Sequence, residues 1–258
     1  MTRGVLLDLA GVIYDGGTAI SGGVDAVARL RKAGLSIRFV SNTTRSSKQR
    51  VLDHLAALGL TAAKADVFTP AQAAREWLLR NGRAPYLLVH PGLEPDFREL
   101  PARDKRAVII GDAGETLTYA VLNDAFRQLI AGAELLALAT NRAFRDADGG
   151  LSLDAGPFVA ALEFASLKRA TVLGKPSPAF FLSALASMNV PPEQAIMVGD
   201  DAEADIAGAL RAGLSGALLV RTGKYRRGDE KRFDPPPTAT VADLAAAADW
   251  IIARSSPN

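Results

Sequence analysis

Four short stretches carry side chains suited to moving a phosphoryl group. Asp8 ends the apolar run Val5-Leu6-Leu7, and Ser41, Asn42 and Thr43 follow the apolar residues up to Val40. Lys175 stands in Gly174-Lys175-Pro176-Ser177-Pro178, and Asp200, Asp201 and Asp205 follow Gly199. An acid at the end of a greasy strand is costly unless something binds it. Two facing carboxylates, Asp8 and Asp200, repel unless a cation lies between them or one is protonated. A hard divalent ion with oxygen ligands satisfies both, and Mg²⁺ characteristically joins one or two carboxylates to a phosphate. Ser41, the backbone N–H groups after it and Lys175 then supply donors to the phosphoryl oxygens.

Taken singly, each of these has a bland reading. Asp8 could cap a turn, and Thr44 and Ser46 read as N-caps for a helix starting near Ser47. Lys175 could be a solvated turn lysine before a helix begun by Pro178. Gly199-Asp200-Asp201 could be a turn, with Asp205 favouring the first helical turn. Their order at successive strand ends is what favours a site, because ligands of open α/β sheets bind outside the C-terminal ends of the strands.

The elements that must position them follow from an alternation of short apolar runs and amphipathic stretches. Strands are predicted over 4–8, 36–40, 170–173, 195–198 and 216–220, with helices over 24–32, 47–58, 178–188, 202–212 and 241–252. This rhythm implies right-handed βαβ units and a doubly wound, Rossmann-like parallel sheet. A second alternation fills the middle, with strands over 85–90, 107–110 and 135–139 and helices over 119–129 and 156–166. The chemically loaded stretches lie only in the outer segments. The reading is therefore an α/β protein with a catalytic core at 1–83 and 170–258 and an inserted α/β cap domain at 84–169. Within the cap, Asp112, Asn141 and Arg142 lie at strand ends where they could meet a substrate, the alternative being ordinary polar loop residues. Residues 226–238 read as a loop, and 255–258 as a frayed tail.

Composition removes several classes of function. Of 258 residues, 48% are hydrophobic and 22% charged, as in ordinary globular proteins. Lys and Arg number 30 against 28 Asp and Glu, a net charge of +2 with no basic block, so no nucleic-acid partner is implied. The absence of cysteine excludes disulfides, thiolate metal sites and a cysteine nucleophile, and fits a reducing compartment. No apolar run approaches the roughly 20 residues that span a bilayer. The expectation is a cytoplasmic protein acting on a small phosphorylated substrate, with no membrane. The two histidines, His54 in a helix and His90 before Pro91, are given no catalytic role.

Asp8 with Gly11-Val12, Ser41-Asn42, Gly174-Lys175-Pro176 and Gly199-Asp200-Asp201 with Asp205 together resemble the haloacid dehalogenase superfamily, and in particular its subfamily IIA phosphatases, over essentially the whole chain. The resemblance implies an α/β cap between the second and third motifs, and Asp8 as the nucleophile that becomes an aspartyl-phosphate. It further implies Mg²⁺ held by Asp8, the Ala10 carbonyl and Asp200, phosphate held by Ser41, the Asn42 backbone and Lys175, and Asp201 and Asp205 orienting metal waters and Lys175, in either allocation. Caps of this kind often dimerise, so a homodimer is an expectation, although the sequence shows no diagnostic interface.

Ala10 departs from the pattern. Most phosphatases of the superfamily place there an Asp that protonates the leaving group and then activates water. A positioned general acid contributes about 10² to 10⁴ in rate, or roughly 3–5 kcal/mol, and a methyl group cannot supply it. Turnover would then be confined to good leaving groups, or another group would donate the proton. Three other readings stay open: a phosphate-binding pseudophosphatase, a metal-independent carbon–halogen hydrolase on the same scaffold, and a phospho-accepting receiver. Receivers lack the large insertion, and the late acidic cluster favours a metal.

Overall fold

The strand Gly4–Leu7 is buried along its whole length, with Val5, Leu6 and Leu7 wholly inaccessible. An apolar run covered on both faces is the signature of a central strand in a parallel sheet. In the computed structural model, which describes residues 1–145 and 150–255, this strand is the fourth of six. The order is Ala239–Val241, Gly216–Val220, Ala195–Gly199, Gly4–Leu7, Ser36–Val40 and Val67–Phe68, and every pairing is parallel. From Gly4–Leu7 the chain moves outward to Ser36–Val40, and it later returns to the other flank at Ala195–Gly199. The order therefore reverses beside the first strand, the place where open α/β sheets bind ligands. Register Leu7↔Val198 and the hydrogen bond from Asp8 N–H to the Val198 carbonyl (3.0 Å) set Asp8 next to the end of Ala195–Gly199.

Helices Gly23–Lys32 and Leu244–Ser255 pack on each other, and Pro178–Ala186 packs against Gly208–Arg211 and the strands Gly4–Leu7 and Ser36–Val40. Helix Gly23–Lys32 buries Ala26, Val27 and Leu30 at the i, i+1, i+4 spacing of a one-sided helix. The closing helix runs to Ser255, which is buried and donates its hydroxyl to the Ile251 carbonyl. The fraying expected from 255 does not include that residue, and 256–258 lie outside the described residues.

A second sheet has four parallel strands in the order Thr171–Val172, Glu134–Ala137, Arg106–Ile110, Ala84–Leu88. It is flanked by an antiparallel ribbon, Ala143–Arg145 with Leu151–Leu153. One of its faces is covered by helix Pro70–Asn81, whose Ala71, Ala74 and Leu78 pack with Ile109, Leu136 and Leu138. The other carries helices Tyr119–Ile130 and Ala155–Ser166 through Ala125, Leu129, Val159 and Leu162. By their contacts the residues divide into one unit of 1–41, 52–68 and 175–258 and another of 42–51 and 69–174. The architecture is a Rossmann-like core with an inserted α/β cap.

One predicted strand changes sheets. The run read over 170–173 as part of the core pairs instead as Thr171↔Leu136 and Val172↔Ala137, with Leu173 N–H on the Ala137 carbonyl. The core sheet is completed by Val67–Phe68 and Ala239–Val241, two and three residues long. Elements so short show no readable alternation.

Candidate active site

Asp8 follows the first strand directly and is 7% exposed. Its Oδ1 accepts a 2.6 Å hydrogen bond from Lys175 Nζ, while Oδ2 accepts none among the described residues. Lys175 is 3% exposed, and Nζ also donates to the Val40 carbonyl (3.2 Å) and lies 2.6 Å from Asp205 Oδ1. Burial alone would drive the ammonium to lose its proton; Asp205 and Asp8 outweigh it and hold Lys175 above the usual lysine range. A permanently charged lysine thus sits between two carboxylates.

Beyond Asp8 the chain makes a single tight turn: Ile13 and Tyr14 N–H groups return to the Leu9 carbonyl, and Gly11 N–H reaches the Tyr14 carbonyl (2.6 Å). Ala10 is exposed at this turn, and its side chain offers no proton. The Tyr14 ring stands edge-on to His54, with centroids 4.6 Å apart. Burial, then the Asp8 charge, push the Tyr14 phenol up to about 12.

Asp200 is 2% exposed. Its Oδ2 accepts the Lys224 N–H at 2.7 Å, and its Oδ1 is buried with no hydrogen-bond partner among the described residues. A buried carboxylate oxygen without a donor is the kind of exception that calls for an ion or a proton. Burial, then Asp8 and Asp205, push its carboxyl up to about 8. One oxygen each from Asp8, Asp200 and Asp205 lies within 4.8 Å of the others, so a divalent cation fits the donor set. Since Lys175 already pairs with Asp205, the orphaned Oδ1 of Asp200 is the oxygen that most calls for one.

Two glycines make room for this carboxylate. Gly11 (φ +80°) and Gly223 (φ +59°) are both left-handed, and a Cβ on either would overlap Asp200 Oδ2. The Thr222 hydroxyl donates to the Gly11 carbonyl, tying the two turns together.

The sequence left the allocation of Asp201 and Asp205 open. The structure sends Asp205, wholly buried, to Lys175; Asp205 Oδ2 also accepts Asp201 N–H at 3.1 Å. Burial raises its carboxyl against the pull of Lys175, with Asp8 and Asp201 adding to the rise. Asp201 instead caps the next helix through Glu203 and Ala204 N–H (3.1 and 2.9 Å) and meets Lys224 Nζ at 3.4 Å. The Lys224 charge and these amides hold it below the usual carboxylate range despite burial. The helix predicted over 202–212 opens as a π-helical turn, Ala202–Ala207, before Gly208–Arg211. That wider turn carries Asp205 against Gly199, where a Cβ would overlap the aspartate.

Ser41 is buried and gives its N–H to the Phe68 carbonyl (3.0 Å). The cap candidates diverge. Asp112 is buried and spends its carboxylate on Arg45 (Oδ2 to Nε 2.5 Å, Oδ1 to Nη2 3.3 Å) and on Gly114 N–H. It is thereby a tie holding the 42–48 loop to the cap, and Arg45 also lies over the Phe144 ring at 4.5 Å. Asn141 and Arg142 accept the Gly156 and Asp154 N–H groups through their carbonyls at the start of helix Ala155–Ser166. Lys224, Gly223 and Tyr14 had no place in the residue-by-residue reading; the one signal for the first two was a Gly-Lys pair after the run ending at Val220.

A family model described as haloacid dehalogenase-like hydrolase matches residues 5–103, and a second HAD-hydrolase-like model matches 172–247. The chain is 43% identical to the human haloacid dehalogenase-like hydrolase domain-containing protein 2, covering 97% of this chain and 96% of that protein. It is 43% identical to the phospholysine phosphohistidine inorganic pyrophosphate phosphatase of Xenopus laevis, covering 99% and 97%. Among solved structures it resembles the Mycobacterium tuberculosis glycerol phosphate phosphatase in complex with magnesium, at 30% identity and TM-score 0.82, over 95% of this chain and 76% of that one. It also resembles the 4-nitrophenylphosphatase of Thermotoga maritima, at 25% identity and TM-score 0.86, over 96% and 97%. The chain belongs to the haloacid dehalogenase-like hydrolases. Within them it is a phosphatase of the kind that carries an α/β cap.

Proposed function

We propose that this phosphatase is Mg²⁺-dependent, transfers the phosphoryl group to Asp8, and favours substrates whose leaving group departs without help from position 10. The observation that supports it best is the divided Asp8 carboxylate, with Oδ1 held by Lys175 and Oδ2 uncommitted among the described residues. Asp8 Oδ2 attacks phosphorus as the bond to the leaving group breaks, and the leaving group takes the bonding pair. Water then attacks the aspartyl-phosphate, releasing inorganic phosphate and restoring Asp8, with the proton lost to solvent. Lys175 offsets charge on Asp8 and the incoming phosphoryl group, while the Ser41 hydroxyl and the Asn42 backbone bind its oxygens. Asp8, the Ala10 carbonyl and Asp200 would hold Mg²⁺, and when bound it neutralises charge on the phosphoryl oxygens. Asn141 and Arg142 are the cap residues assigned to the rest of the substrate.

With alanine at position 10, the side chain there hands no proton to the departing atom. Pyrophosphate, aryl and acyl phosphates release stabilised anions, and a P–N nitrogen can take its proton from solvent before the bond breaks, so these substrates depend least on an acid at position 10. Two similar proteins, a phospholysine phosphohistidine inorganic pyrophosphate phosphatase and a 4-nitrophenylphosphatase, are named for pyrophosphate, P–N and aryl substrates, which supports this reading. The test is a screen of purified protein with Mg²⁺ against p-nitrophenyl phosphate, pyrophosphate, phosphoramidates and alkyl phosphates, with Asp8→Asn as the blank. Release of phosphate by wild type but not by the blank, favouring the first three, is expected. Equal release by both would refute Asp8 as nucleophile.

A further inference from the structure

Two basic runs, Arg80-Asn81-Gly82-Arg83 and Arg103-Asp104-Lys105-Arg106, have no part in the chemistry above. Each precedes a strand of the cap sheet, and the parallel register Ala84↔Arg106 brings them side by side at the N-terminal edge of that sheet. This is the opposite end of the strands from Gly111-Asp112 and Leu138–Asn141, where the cap's substrate candidates lie. Between the runs and the end of helix Tyr119–Ile130 is a recess of about 400 Å³, lined by Arg83, Asp104, Lys105, Arg106 and Gln128 over a floor of Ala131–Ala133. That is within the size range of small-molecule sites.

The cations in it are poorly served by the protein. The Arg106 and Lys105 side chains have no ion pair or hydrogen bond among the described residues, nor does the Gln128 amide. Arg83 has only a 3.6 Å pairing with Glu134. The floor adds no competing charge, because the Arg127, Gln128 and Leu129 carbonyls at the helix end are already bonded to the Ala131, Ala133 and Gly132 N–H groups. Three cations line the recess with an unused amide, against Asp104 within it and Glu134 beside Arg83, and such a set suits a compact polyanion, because charge-assisted bonds to phosphate oxygens are the strong ones.

We propose that this recess is a second anion site, separate from the catalytic residues, which binds a small molecule carrying a chain of two or more phosphates. Arg106 and Lys105 grip the chain, Arg83 turns from Glu134 toward it, and Gln128 donates to an oxygen. The proposal does not depend on which substrate the catalytic site prefers.

The test is calorimetric titration of inorganic tripolyphosphate into Asp8→Asn, which is chosen to prevent consumption of the probe. The same background carrying Lys105→Gln and Arg106→Gln is expected to bind at least tenfold more weakly. Ser41→Ala in that background is expected to change the affinity less than twofold. Inorganic phosphate should bind at least tenfold more weakly than tripolyphosphate, and ATP at least as tightly. The double substitution in otherwise wild-type protein should leave p-nitrophenyl phosphate turnover within twofold and the unfolding midpoint unmoved, since these side chains hold nothing in the fold. No saturable binding, or binding lost with Ser41→Ala and kept in the double variant, would overturn the site.

Discussion

Position 10 decides how much of the family's chemistry this chain can perform. In the mechanism proposed above, the methyl group there leaves the backbone carbonyl in place and offers no proton, so Ala10→Asp supplies the acid that most phosphatases of the superfamily carry at that position. We expect that variant to hydrolyse alkyl phosphates more than tenfold faster than wild type in steady-state assays with Mg²⁺, while aryl phosphate turnover changes far less. No gain, with the cation still bound, would place proton delivery elsewhere. Asp8, Asp200 and Lys175 stood out in the sequence because each follows an apolar run, where a charge has no structural reason to be. Lys224 was not legible in that way: its main contribution to Asp200 is a backbone N–H, which every residue but proline possesses. The allocation of Asp205 to Lys175 was also hidden, because four-residue spacing from Asp201 allows either acid to face inward, and a π-helical turn settles it.

At the scale of elements, the site depends on turns that leave no volume for side chains. Gly11→Ala puts a Cβ on Asp200 Oδ2 and forces a left-handed φ that alone costs about 1–2 kcal/mol. We expect lower stability in urea and a cation affinity reduced at least tenfold, measured by calorimetry. Gly199→Ala should act through Asp205 instead, dislodging it from Lys175. In the cap, Asp112→Ala removes the carboxylate that binds Arg45 and Gly114 N–H, while Lys48 N–H keeps its bond to Asp96. The expected result is faster amide hydrogen exchange over 42–48 and 112–114, with the core sheet amides unchanged. The alternation of periods revealed both sheets, yet it misplaced the strand at 171–172. A two-residue strand is assigned by its neighbours, and the hydrogen bonds that place it come from Leu136 and Ala137.

For the molecule as a whole, gathering three buried carboxylates has a pH signature. The Asp200 carboxyl rises from an ordinary 3.8 to about 8 on folding without a cation, so between those values the native state binds the extra proton. Stability of the cation-free protein therefore falls as pH rises from about 4 to about 8, by at most about 1.4 kcal/mol per unit for this group. Chemical denaturation in EDTA at pH 5, 6.5 and 8 should show the decline, Asp200→Asn should flatten it, and millimolar Mg²⁺ should reverse it at pH 8 by displacing the proton. The knot of Gly11, Thr222 and Gly223 around Asp200 joins residues 211 apart in the chain. During synthesis, everything up to Lys224 must emerge before the first turn has its partner. A nascent chain that has released Asp8 and the whole cap therefore carries the proposed nucleophile with no finished pocket around it.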